Sequence, residues 1–147
     1  MISLDTNVIV RVVTADEPEQ LAIALQVMKS EGLRLSKTVL LETEWVLRYS
    51  YKLSRETVLE TFARLLGYRN LSVEAPEQIH SALELYRGGM DFADALHLAA
   101  STGADRFVTF DRDLALAARE LEALPAIELL GGADERLGAI LKSSAPL

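Results

Sequence analysis

Apolar and polar positions along this chain alternate between two periods. Short apolar stretches at residues 2–4, 33–35, 71–74, 106–110 and 126–130 have the length and flanks of β-strands. The segments between them follow a helical period with recognisable ends. Pro18 opens a helix that carries Leu21, Ala24, Leu25 and Met28 on one face, and Gly32 closes it. Proline suits a first helical turn, where its missing N–H has no partner to lose, and glycine tolerates the backbone that ends a helix. Residues 38–51 form a second helix. Ser54 is the N-cap of a third, with Val58, Leu59, Phe62 and Leu66 inward and Gly67 after it. Pro76 begins a fourth with Ile79, Leu83 and Tyr86 at helical spacing. Asp91 caps a fifth that ends at Gly103, and residues 113–121 make a sixth before Pro125.

Strands that alternate with helices over short connections imply an α/β fold with a parallel sheet and helices on both faces, a three-layer α/β/α arrangement. No repeat, low-complexity tract or long linker interrupts the pattern, so residues 1–147 are expected to form a single domain. Residues 131–147 are a C-terminal extension outside this pattern. Within it, 133–141 read as a short helix and 142–147 as a frayed tail.

Composition narrows the chemistry. The chain has no cysteine, which excludes disulfides, thiolate metal sites and a cysteine nucleophile. His80 and His97 are too few and too far apart for a histidine-rich metal site. No apolar run reaches the length of a membrane span, and the start Met1-Ile2-Ser3-Leu4-Asp5 lacks the basic and apolar regions of a secretory signal, so a cytoplasmic protein without a membrane partner is expected. Net charge is −7, from 22 acidic and 15 basic residues. That balance disfavours nucleic-acid binding through a broad basic surface, but it does not exclude an enzyme whose acids are neutralised by bound cations, and it fits a plain acidic protein equally well.

Ligands of such sheets bind beyond the carboxyl ends of the strands. Asp5 directly follows the first strand, and Asp111 directly follows the fourth. A crossover helix runs antiparallel to its strands, so its first turns reach the same edge. Glu42 lies early in the helix after the second strand, and Asp94 lies in the first turn of the helix before the fourth. Topology therefore predicts that four carboxylates gather on one rim. Each has a plainer role available. Asp5 can be a helix cap, Asp91-Phe92-Ala93-Asp94 resembles a capping box, and Asp111 or Asp113 can cap the following helix. At about 100° per residue, Glu42 shares a face with Trp45, Val46 and Tyr49. Glu44 sits similarly with Leu40 and Leu47, and periodicity does not choose between the two acids. Four caps have no reason to share one edge, and carboxylates crowded there without cations would repel. Hard cations such as Mg²⁺ or Mn²⁺ prefer oxygen ligands of this kind.

The chain resembles PIN domains, and within them the VapC-type toxins of toxin–antitoxin pairs. The matching segments are Leu4-Asp5-Thr6-Asn7-Val8, then Val39-Leu40-Leu41-Glu42 followed by Trp45-Val46-Leu47. Asp91-Phe92-Ala93-Asp94-Ala95-Leu96 and Thr109-Phe110-Asp111-Arg112-Asp113-Leu114 come later, in the family's order, so the match runs from Met1 to about Leu130. The resemblance implies a five-stranded parallel sheet flanked by helices and a Mg²⁺- or Mn²⁺-dependent endoribonuclease. It places the catalytic acids at Asp5, Glu42, Asp94 and Asp111, with Asp5, Asp94 and Asp111 as metal ligands. Asn7 and Thr109 are its polar supports, and Asp91 and Asp113 are second-choice acids. RNA substrate, a small antitoxin and a homodimer are the implied partners. Arg11, Lys37 and Arg112 are candidates for phosphate contacts, against a plain surface role. The apolar stripes of Trp45, Leu47 and Tyr51, and of Phe62 with Leu66, belong either to the core or to a partner surface.

Two other functions fit parts of the pattern. A phospho-accepting receiver module also gathers acids at this edge, but it needs paired acids after its first strand and a lysine after its last. Here one acid follows the first strand, and Gly131-Gly132 follows the fifth. A PIN-like module that binds metal or protein without cleaving RNA is the other.

Overall fold

All five expected strands form, the second with its expected bounds and the other four each one residue shorter, in a computed structural model that describes residues 1–119, 121 and 124–131. The chain divides into two compact units, one from Met1 to Ala100 and one from Ser101 onward.

In the first unit, β1 (Ile2–Ser3), β2 (Leu33–Leu35) and β3 (Leu71–Val73) pair in parallel in the order β1-β2-β3. Ile2 lies opposite Leu33, and Leu33 opposite Leu71. The ladder runs slightly past the strands, because the Leu4 amide donates to the Arg34 carbonyl and the Glu74 amide to that of Leu35, both at 2.9 Å. Leu33 and Leu35 are fully buried, while Ser3, Arg34 and Ser72, which form one row across the opposite face, are exposed.

Six α-helices surround this ladder among the described residues: α1 (Thr6–Thr14), α2 (Pro18–Met28), α3 (Lys37–Trp45), α4 (Arg55–Leu66), α5 (Pro76–Arg87) and α6 (Phe92–Ala100). Ser54 caps α4 as expected, its hydroxyl accepting the Thr57 amide at 3.1 Å. Val58, Phe62 and Leu65 then fall on one buried face. Phe62 packs on Phe92 with ring centroids 5.7 Å apart, and Phe92 meets Tyr86 edge-on at 5.2 Å. These rings join α4, α5 and α6 into the core.

Two segments depart from the expected elements. Residues 6–14, left without an element by the sequence, are helical. Val8, Ile9, Val10, Val12 and Val13 are β-branched and weak helix formers, so local preference hides a helix that packing imposes through buried Thr6, Ile9 and Val10. The expected helix over 38–51 breaks its period after Trp45. Residues Val46–Ser50 form a wide π turn in which the Tyr51 amide reaches back to the Val46 carbonyl at 3.2 Å.

In the second unit, β4 (Arg106–Thr109) and β5 (Ala126–Leu129) form a parallel pair in register from Arg106 opposite Ala126 to Thr109 opposite Leu129. Arg106 and Glu128 pair across it at 2.6 Å. Helix α7 (Arg112–Ala118) connects the strands and packs on β5. The α/β class and parallel pairing thus hold, while the ladders contain three and two strands rather than one continuous run of five. The helix expected at 133–141 and the tail at 142–147 lie outside the described residues.

Candidate active site

Asp5 stands at the N-cap of α1 in extended conformation, yet its carboxylate makes no capping bond. The side chain is exposed, and Asn7 Nδ2 donates to its Oδ2 at 3.3 Å. The capping role is therefore not what this aspartate does. Its neighbour Thr6 is buried and turns its hydroxyl to Glu42, donating to Oε2 at 2.6 Å. That bond spans 36 residues and ties the second turn of α3 to the residue beside Asp5.

Glu42 and Glu44, which periodicity left equivalent, occupy different surroundings. Glu42 is exposed on the side of α3 that meets Thr6. Glu44 is buried, accepts the Tyr86 hydroxyl at 2.7 Å and has Arg48 Nε at 3.6 Å. Burial pushes the Glu44 carboxyl above its ordinary range, and the Tyr86 hydrogen bond only partly opposes this. Burial first, and then the Glu44 carboxylate, push the Tyr86 hydroxyl up as well.

Asp94 is half-buried in the first turn of α6. The cap of that helix is Asp91, whose Oδ1 accepts the amides of Ala93 at 2.9 Å and Asp94 at 3.2 Å. Asp91 is thus committed to structure. Asp111 belongs to the second unit and does cap α7. Its Oδ1 accepts the Asp113 and Leu114 amides at 2.9 and 3.0 Å, while the Thr109 hydroxyl accepts the Asp111 amide at 2.9 Å. Both capping bonds fall on Oδ1, so Oδ2 takes no part in the cap.

Two contributors at the carboxyl edge of the first ladder escaped the sequence. Thr6 is one, and its signal was slight, a threonine directly after Asp5. Glu74 is the other. It follows β3 as Asp5 follows β1, and its Oε2 accepts the Lys37 amide at the start of α3 at 3.0 Å. An anion there also suits the positive end of the helix. The same rule that selected Asp5 and Asp111 would have selected it.

The candidate phosphate contacts fare unevenly. Arg11 is committed to Gln20, Asp16 and Tyr51, and Lys37 donates to Gln78 at 2.8 Å. Arg112 is exposed. Of the apolar stripes, Leu47 and Phe62 are core. Trp45 and Tyr49 are each 56 % exposed and face each other with centroids 5.5 Å apart.

Among the described residues, no group of three or more histidine, aspartate or glutamate side chains is gathered as a metal cage. The donor chemistry nevertheless fits a hard divalent cation. Asp5 and Glu42 in the first unit, and separately Asp111 in the second, offer carboxylate oxygens that no cation of the protein neutralises at close range among the described residues. No described helix is long and apolar enough to cross a membrane. The family model described as PIN domain matches residues 2–120. No curated protein matches the chain.

Proposed function

The chain belongs to the PIN domain family, whose members are generally metal-dependent nucleases, and from that premise we propose that it is a Mg²⁺- or Mn²⁺-dependent endoribonuclease acting as the toxin of a VapBC-type pair. The observation that carries this reading is the uncapped Asp5 carboxylate, with Glu42 held to the adjacent Thr6. An aspartate at an N-cap that leaves the helix amides alone forgoes roughly 1 kcal/mol of helix stability. A functional demand on its oxygens accounts for that.

Asp5, Asp94 and Asp111 would hold the ion. When bound, it would supply Lewis-acid stabilisation of phosphate oxygens and a water of lowered pKa. Asn7 steadies Asp5 through Oδ2, and Thr109 fixes the backbone of Asp111. Glu42 would orient the attacking water through Oε1, the oxygen that Thr6 does not occupy. Residues 1–147 would act as one domain with a single five-stranded sheet. The antitoxin would seat an apolar segment in the cavity of about 680 Å³ between α1, α2 and α4, lined by Val12, Val13, Leu25, Met28 and Leu65. The exposed Trp45–Tyr49 pair would serve a homodimer, and RNA and antitoxin would meet the protein in the cytoplasm.

Asp5→Asn is the direct test. Cleavage of RNA by antitoxin-free protein should fall at least a hundredfold, EDTA should abolish the wild-type activity, and the circular dichroism spectrum should not change. Wild-type rates from a cleanly purified, metal-supplied variant would refute the assignment. The second reading, a PIN module that binds without cleaving, draws support from the capping duty of Asp111. It predicts that the wild-type protein cuts no RNA with either metal.

A further inference from the structure

Beneath the acid-bearing helices of the first unit runs a line of polar contacts that the proposed chemistry does not use. It starts on the inner side of α3 at Glu44, which accepts the hydroxyl of fully buried Tyr86 at 2.7 Å. The Tyr86 ring is covered by the guanidinium of Arg55, whose central carbon lies 4.3 Å from the ring centroid. Arg55 Nη1 donates to the Tyr86 carbonyl at 2.8 Å and to the Met90 carbonyl at 2.5 Å. The Met90 carbonyl is part of the peptide bond leading into Asp91. Asp91 in turn holds the amides of Ala93 and Asp94. One side chain of α4 therefore grips the backbone at the entrance of α6. The far end of the same line rests on α3, two residues from Glu42.

The gripped segment has little stiffness of its own. It contains Gly88 and Gly89, the latter at φ +108°, and glycine loses more backbone freedom on ordering than any other residue. The Tyr86 carbonyl lies in the last turn of α5, where carbonyls lack partners within the helix. A cation at that end also meets the negative pole of the helix. Arginine satisfies two carbonyls and stacks on a ring at once, because its donors are spread over a rigid plane. A lysine ammonium is a point charge and reproduces only part of this.

Granting the nuclease reading above, on which this inference rests, we infer that Arg55 is a positioning residue: it fixes the entry to α6, and thereby sets the Asp94 carboxylate against the helix that carries Glu42. Functional constellations tolerate displacements of only about 0.5 Å. A glycine-containing loop left to itself exceeds that.

The test compares wild type, Arg55→Met, Arg55→Lys and Leu33→Val, the last a buried change on β2 that lowers stability without touching this line. Mn²⁺ binding is measured by calorimetry and the melting temperature by circular dichroism. Amide exchange at Ala93 and Asp94 is followed by NMR. Arg55→Met should weaken Mn²⁺ binding about tenfold, as loss of an outer support does at metal sites, and should speed exchange at both amides. Arg55→Lys should fall between it and wild type, and it carries the test should Arg55→Met not fold. Leu33→Val should keep wild-type Mn²⁺ affinity at a lowered melting temperature. Unchanged Mn²⁺ affinity in the Arg55 variants, or equal weakening in Leu33→Val, overturns the inference and leaves the nuclease reading standing. A wild-type protein that binds no Mn²⁺ overturns both.

Discussion

Glu44 carries its carboxylate where water barely reaches, and its titration should be visible in the stability of the fold. Its ordinary value is 4.5, and burial raises it in the folded chain. Between the two values the folded state holds the proton more firmly than the unfolded one. The Glu44 contribution to stability is therefore greatest at or below pH 4.5 and declines as pH rises through the raised value. Glu44→Gln keeps an acceptor for Tyr86 and removes the buried charge. Urea unfolding at pH 5 and pH 7 should show a smaller loss towards pH 7 in the variant than in wild type, and an identical loss would refute the role of burial. Single residues also mark where the sequence stopped being informative. Glu42 and Glu44 both adjoin apolar neighbours, and only their distant partners separate them, Thr6 for the first and Tyr86 for the second. Asp5 was recognisable from its place after a strand. Its refusal to cap depends on side-chain rotation, which no spacing encodes.

At the scale of elements, punctuation residues did most of the predictive work. Ser54, Pro76 and Asp91 mark helix starts that the structure reproduces, because each satisfies or omits a specific backbone donor. Ser54→Ala should cost about 1 kcal/mol, read as a shift in the urea midpoint at unchanged slope, and a shift near zero would show that α4 stands on packing alone. α1 was illegible for the opposite reason, since valine and isoleucine carry strand preference into a helix. The wide turn after Trp45 was equally hidden. It alters the count of residues per turn without altering their kind, so a polar and apolar pattern registers only a blurred helix.

For the whole molecule, a net charge of −7 and a polyanionic substrate are compatible only if positive charge comes from outside the chain, which is why the nuclease reading depends on divalent ions. The five strands and their parallel sense were legible because burial of apolar strands is a property of short segments. Their division into ladders of three and two was not, because strand order rests on contacts between segments far apart in sequence. The exposed Trp45–Tyr49 pair predicts self-association. Light scattering after size exclusion should give a dimer at micromolar concentration, with Trp45→Ala shifted towards monomer, and a monomeric wild type would remove the homodimer. The wide turn has a last consequence. With five residues enclosed where an α-helix encloses four, Tyr51, the residue leaving the turn, is rephased by about 100°. Tyr51 is thereby delivered to Asp16, 2.6 Å from its hydroxyl. A chain one residue shorter at this point would swing that phenol out of reach, so the spacer length here works as a gauge that locks the exit of one rod to the far end of another.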